Sequence, residues 1–195
     1  MSQKQYIGTL MGCAVGDALG MPVEEWKREQ IEKYAGRVEQ FMDPVIVKDD
    51  EGNIVTRDEF GTLKYLTKDF KRGEYTDDTI LTAALAESLA FIGDLDLDDV
   101  AYRQVRTYLR RLRVDGSVHG GFGRTTIDGF KQYLAGKSPQ ESGVIGGPGN
   151  APAMKMSPLG LYMDAAEKYQ EGLDFAEDVG KFTHLDPRSV VSGVV

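Results

Sequence analysis

Ile7, Leu10, Met11, Ala14, Val15, Ala18 and Leu19 recur at the three- and four-residue spacing of one helix face. Gly8, Gly12, Gly16 and Gly20 form a second stripe on the same helix, one every four residues. An interior glycine costs about 1 kcal/mol against alanine, so four in register predict a closely packed neighbouring backbone and a central place for this helix. Helical period returns at Thr76 and runs to about Ile92 through Leu81, Ala84, Leu85 and Leu89. A further helix follows Asp96–Asp98 through Val100, Val105, Leu109 and Leu112, with Arg103, Arg106, Arg110, Arg111 and Arg113 outside. Shorter helices are predicted over 125–135, 158–171 and 173–182, and RSVVSGVV from residue 188 reads as the opening of one more apolar helix. Between the first helix and Thr76 the pattern changes. PVIVKDDEGNIVTRDEF places two β-branched runs around Asp50, Glu51, Gly52 and Asn53, which predicts a hairpin or long excursion. The expected fold is all-α, with one small β excursion around residues 43–75.

A chain of 195 residues fits a single domain spanning 1–195. Lysine and arginine number 23 against 31 acidic residues, a net charge of −8 that argues against nucleic-acid coating. No uninterrupted apolar run approaches the ~20 residues of a bilayer span. The start, MSQKQYIGTLMG, lacks the basic and apolar regions of a signal peptide. The one cysteine, Cys13, fits a reducing cytoplasm. These features predict a cytoplasmic protein without a membrane partner.

Chemistry-bearing residues fall in a few places. Thr76-Asp77-Asp78-Thr79 opens a helix, where a threonine cap and first-turn acids suit the dipole. The same oxygens are hard ligands suited to Mg²⁺ or Mn²⁺. Asp17 lies near the end of the first helix, placed to cap a neighbouring loop, and Glu24 follows Pro22 in a loop. Gly120-Gly121-Phe122-Gly123-Arg124-Thr125-Thr126 runs into a short helix, so its backbone amides can meet a phosphate, with Arg124 adding a charge-assisted contact, or simply form a turn with a threonine cap. A second glycine loop spans Gly143 to Met154, and two such loops suit a diphosphate. His184 precedes an Asp-Pro turn with Asp186 placed to orient it, and His119 adjoins the first loop. No CxxC pair, metal-spaced histidine pair or GxSxG elbow occurs, which leaves zinc and serine-hydrolase chemistry unsupported.

GCAVGDALGMPVE (12–24), YTDDT (75–79), GNAPAMKMSPLGL (149–161) and THLDPRSV (183–190), in this order, resemble the ADP-ribosylglycohydrolase family. The resemblance implies an all-α orthogonal bundle with a binuclear Mg²⁺ or Mn²⁺ centre. It implies hydrolysis of the glycosidic bond between ADP-ribose and a modified side chain or small molecule. By position, Thr76, Asp77 and Asp78 would be metal ligands, with Glu24, Asp77 and Asp78 as the catalytic carboxylates and Glu24 on a gating loop. Gly149, Asn150 and Met154 would meet the ribose or diphosphate, Gly121 and Gly123 the phosphates, and His184 the ribose end.

Two departures from the family pattern stand out. The block expected as GNGAAMR reads Gly149-Asn150-Ala151-Pro152-Ala153-Met154-Lys155, so Lys155 keeps the charge but loses the guanidinium fork. The Asp-x-Asp-Thr block that supplies the family's remaining ligands does not occur after Asp78. The expectation is therefore a C-terminally shortened enzyme, completed by a second copy or a second polypeptide. The alternative is a non-catalytic module that binds ADP-ribose or another protein.

Overall fold

The computed structural model describes residues 2–64 and 69–195, which divide into two compact units. One comprises Met1–Cys13 with Asp77–Val195, the other Ala14–Thr76. Helix α1 (Gln3–Gly20) contributes to both.

In the larger unit, α3 (Asp77–Ile92) packs against α4 (Leu97–Leu109) and α7 (Ser157–Ala166). Ile80, Leu81, Ala84, Leu85 and Leu89 line its buried face at helical spacing. Ile80 and Leu81 join Ala101, Val105, Tyr108, Phe122, Phe130 and Phe182 in one apolar cluster. Tyr108 meets Phe122 edge-on at 5.9 Å between ring centroids, an arrangement that adds to simple burial. Further along α3, Leu85 and Leu89 join Val100, Leu159, Phe175 and Val179 in a second cluster. Asp96 caps α4 by accepting the Asp99 amide at 3.0 Å. The unit is completed by α5 (Arg124–Leu134), the single turn α6 (Ala151–Met154), α8 (Tyr169–Lys181) and α9 (Pro187–Ser192). Each helix predicted over this stretch is present, with one boundary corrected: the expected 158–171 helix ends at Ala166, where Glu167 turns left-handed, and α8 starts already at Tyr169. The end of the expected Gly143–Met154 loop is instead the helical turn α6, too short to show a period.

In the smaller unit, α2 (Arg28–Tyr34) follows a tight turn at Met21–Val23. Val23, Trp26 and Leu63 form its core, with Ile31, Tyr34, Val45, Val47 and Val55 packed around them. The predicted hairpin exists: Lys48 pairs with Ile54, and the Val55 amide donates to the Val47 carbonyl at 2.9 Å. Just beyond it, β1 (Arg57–Asp58) pairs antiparallel with β2 (Gly61–Thr62). Buried Gln30 ties α2 to this pair by donating to Asp58 Oδ1 at 2.8 Å.

Two expectations about α1 are corrected. Nothing among the described residues lies within 4 Å of where a Cβ would stand on Gly8, Gly12, Gly16 or Gly20. Ala18 is the helix's one buried residue, and Ile7, Met11 and Val15 are 54%, 57% and 39% exposed. The helix is therefore peripheral in these units, and its glycines answer to no close backbone here. Secondly, Gln3–Val23 is long and apolar enough to cross a membrane by length and composition alone. Its mean hydropathy of 1.2 comes from Ala, Val, Leu and Met spread among glycines, which a search for unbroken apolar runs passes over. The stretch also contains Asp17, whose carboxylate is engaged within the protein: it accepts the Thr76 amide at 2.8 Å and the Thr76 hydroxyl at 2.7 Å.

Candidate functional site

The two glycine loops of the larger unit converge on α5. Gly123 is the residue before this helix and offers no side-chain cap, so the amides of Arg124, Thr125 and Thr126 have no acceptor within the helix. Thr126 is 1% exposed, and its hydroxyl has no hydrogen-bond partner among the described residues. The second loop reaches the same turn, since a Cβ added at Gly146 would lie 2.6 Å from Thr125 Oγ1. Gly121, with φ of +81°, occupies the left-handed region that favours glycine.

Backbone pairing holds the second loop against residues 183–185. Val144 bridges His184, with Val144 N donating to the Thr183 carbonyl at 3.3 Å and Leu185 N to the Val144 carbonyl at 3.0 Å. A Cβ at Gly143 would meet the Lys181 carbonyl oxygen, and one at Gly149 would stand 2.8 Å from His184 Nε2. The Gly149 amide donates to Ser189 Oγ at 2.9 Å. Glycine is needed at Gly143, Gly146 and Gly149 because other groups occupy the space a side chain would take.

His184 is 2% exposed, and its Nδ1 lies 2.8 Å from Thr183 Oγ1. Burial, and then the Lys155 charge, push its pKa down to about 4, against the opposing pull of Asp186. The imidazole is therefore neutral at physiological pH. Lys155 is wholly buried and donates to Gln104 Oε1 at 3.2 Å. Burial pushes its pKa down to about 7, against the attraction of Asp77. Gln104 Nε2 has no partner among the described residues. Asp77, Lys155 and His184 are thus electrostatically linked, and Gly149 adjoins the last of them.

The remaining predicted residues lie elsewhere. Asn150 precedes α6 without a side-chain cap, and Met154 packs against the Phe130 cluster. Asp78 is the second residue of α3, its carbonyl accepting the Thr82 hydroxyl at 2.6 Å. His119 lies at the α4 end, its Nδ1 3.3 Å from Arg113 Nη2. In the smaller unit, Glu24 is paired with Lys64 at 3.2 Å. Thr76, in that unit too, donates its hydroxyl proton to Asp17 at 2.7 Å. Sequence reasoning passed over Gln104, because an interior glutamine carries no motif, and met Thr126 and Ser189 only as members of the first glycine loop and of THLDPRSV, with no ligand role of their own.

By donor chemistry alone, the Thr76 hydroxyl and the Asp77 and Asp78 carboxylates are hard oxygen groups of the kind that suit a divalent cation. Among the described residues, no three His, Cys, Asp or Glu side chains come together in a metal-binding group.

The all-α scaffold of the larger unit agrees with what the chain is similar to. The chain belongs to the ADP-ribosylglycohydrolase family, whose profile matches residues 2–195. It is 26% identical over 196 residues to the uncharacterized protein YegU of Escherichia coli (strain K12), covering 100% of this chain and 52% of that protein. It is 30% identical over 155 residues to the ADP-ribosyl-(dinitrogen reductase) glycohydrolase of Rhodospirillum rubrum, covering 80% of this chain and 43% of the relative. Among solved structures, an ADP-ribosylglycohydrolase-related protein complex superposes with a TM-score of 0.66 at 25% identity, over 96% of this chain and 51% of that one. The chain spans about half the length of these relatives.

Proposed function

We propose that this chain binds ADP-ribose and serves in hydrolysis of the glycosidic bond that joins it to a modified side chain or small molecule. The observation that carries this reading is the α5 start, where a buried, unpartnered Thr126 hydroxyl stands among free helix amides between two glycine loops. Helix N-termini of this kind attract phosphate through oriented N–H groups and the dipole. A diphosphate seated there would receive the Thr126 hydroxyl proton as a charge-assisted hydrogen bond.

The rest of the linked set suits the ribose side. Neutral His184 can exchange a hydrogen bond with a sugar hydroxyl without carrying charge. Lys155 sets the field felt by Asp77 and His184. Thr76, Asp77 and Asp78 would hold Mg²⁺ or Mn²⁺, which would supply polarisation of ribose hydroxyls and stabilisation of charge near the anomeric carbon. Glu24, Asp77 and Asp78 are the carboxylates we assign to accepting the proton of the attacking water. The bond from the anomeric carbon to the leaving nitrogen or oxygen breaks as the water oxygen bonds to that carbon, and the leaving group takes up a proton.

Calorimetry with ADP-ribose, in Mg²⁺, in Mn²⁺ and in chelator, tests the reading, followed by release of ADP-ribose from ADP-ribosylarginine. Thr126→Val keeps the side-chain shape and removes the orphaned hydroxyl, so it should leave stability equal or higher while weakening ADP-ribose binding about tenfold. No binding by the unaltered chain in any condition would refute the proposal. Unchanged affinity in Thr126→Val would remove the diphosphate from α5. Metal-independent binding without turnover would select the non-catalytic alternative.

A further inference from the structure

The outer face of α4 and the turn after it carry charge that the fold and the proposed site use only in part. Five arginines stand between Arg103 and Arg113, with no acidic residue between Asp99 and Asp115, in a chain of net charge −8. Arg103 is neutralised by Asp99 at 2.6 Å and Glu87 at 3.6 Å, and lies over the Phe91 ring. No ion pair engages Arg106, Arg110 or Arg111 among the described residues. A cation in the last turn complements the helix dipole, but like charges four apart, such as Arg106 and Arg110, destabilise a helix by about 0.2–0.5 kcal/mol. Local stability therefore does not account for the cluster.

The composition around these charges is that of a contact surface. Arg106 lies over the ring of Tyr102, which is 54% exposed, and Leu109 and Leu112 are also exposed beside them. Arginine and tyrosine framed by aliphatic groups are enriched where proteins bind one another. The patch adjoins the proposed site on two sides of the same helix. Its Arg111 stem packs over Gly120 of the first glycine loop, while the buried face of α4 presents Gln104 to Lys155.

We propose that this face of α4 docks an acidic segment of a partner protein. The inference is independent of the hydrolytic reading, because it rests on charge and exposure alone. Two other occupants fit less well. A second copy of this chain would have to offer a different, acidic face, such as the Glu171, Asp174 and Asp178 side of α8. Such a head-to-tail contact is heterologous and open-ended unless its rotation closes a ring. A nucleic acid would extend past one helix end, away from the few arginines that could pair with its phosphates.

The test is fluorescence anisotropy of fluorescein-labelled decaglutamate with the 195-residue chain, at low salt and at physiological ionic strength. Arg106→Glu/Arg110→Glu should weaken binding at least about tenfold, and Arg37→Glu, a surface charge in the smaller unit, should change it less than about twofold. Arg106→Gln/Arg110→Gln serves if the reversal fails to fold, and should lose a smaller but clear part of the affinity. No decaglutamate binding, or equal losses in the α4 and Arg37 variants, would overturn the proposal. So would an oligothymidylate of the same length binding at least as tightly, or self-association in light scattering that the double reversal abolishes.

Discussion

Replacing Gly149 with alanine sets a Cβ 2.8 Å from His184 Nε2 and 3.4 Å from its Cδ2. The ring has little room to retreat, being 2% exposed, with Nδ1 held by Thr183 and its backbone bridged to Val144. Thr183 is itself pressed from behind, since a Cβ on Gly129 would come within 2.8 Å of its Cα. Overpacking of this kind costs about 1–3 kcal/mol. Removing a glycine from the unfolded chain returns about 0.4–1 kcal/mol, so the net loss should be about 1–2 kcal/mol. For a chain of this size that is a fall of about 3–6 °C in Tm. Gly147 is the internal control, because nothing lies within 4 Å of its Cβ position and its φ is not in the left-handed region. Gly147→Ala should be neutral or slightly stabilising, which separates the two variants by about 2 kcal/mol. Urea denaturation at constant m-value reads the difference directly. In a His184→Ala background the penalty should vanish and Gly149→Ala should behave like Gly147→Ala. If Gly149→Ala matches Gly147→Ala with His184 in place, steric need does not explain the glycine and the loop does not pack as described.

Other perturbations probe separate links. The unfolded chain binds a proton at His184 near pH 6.5, and the folded chain refuses it until about 4. Stability should therefore fall by about 3 kcal/mol as pH drops through this window, and His184→Gln should flatten that dependence in pH-resolved melts. For Lys155 the unfolded amine holds its proton up to about 10.5 while the folded one loses it near 7. Stability should rise with pH between these values, and Lys155→Met should abolish that rise. Asp96→Ala leaves the Asp99 amide without its acceptor and should cost about 1 kcal/mol, measurable by thermal melting under circular dichroism.

The helices were legible where periodic burial is long enough to repeat. α3, α4, α5 and α8 stand where the spacing of Leu, Val, Phe and Ile places them, since each presents one face to a shared core. The hairpin at Lys48–Ile54 was equally visible, because β-branched runs flank an Asp-Asp-Glu-Gly-Asn turn. The seven-residue α2 gives too few turns for a period to declare itself, and its buried Gln30 breaks the apolar pattern. Glycine spacing misled on α1 and informed on the loop. A regular stripe indicates that a close neighbour is permitted, while only tertiary contacts show whether one is there. In the Gly143–Gly149 loop those contacts are a carbonyl oxygen, a threonine and an imidazole; along the α1 stripe, among the described residues, there are none within 4 Å.

The polar residues that best mark the site were the least legible, for a physical reason. Lys155 reads in sequence as a surface-compatible cation, and Gln104 as an ordinary interior position of an amphipathic helix. Only the packing of α4 beside Lys155 removes both from water and leaves Gln104 Nε2 without a partner. Thr126 reads as a first-turn helix residue, yet its hydroxyl is buried and orphaned. Each such group costs about 1–3 kcal/mol if nothing ever satisfies it, and stability alone gives no reason to keep it. The orphan on α5 has a ready explanation in an anionic ligand, because free amides and glycine loops surround the same point. A ligand that satisfies Thr126 should raise the melting temperature of the unaltered protein by more than that of Thr126→Val at equal concentration, since stabilisation by binding follows affinity for the folded state. A nonspecific anion effect would stabilise both proteins alike, and that result would remove the threonine from the recognition of phosphate.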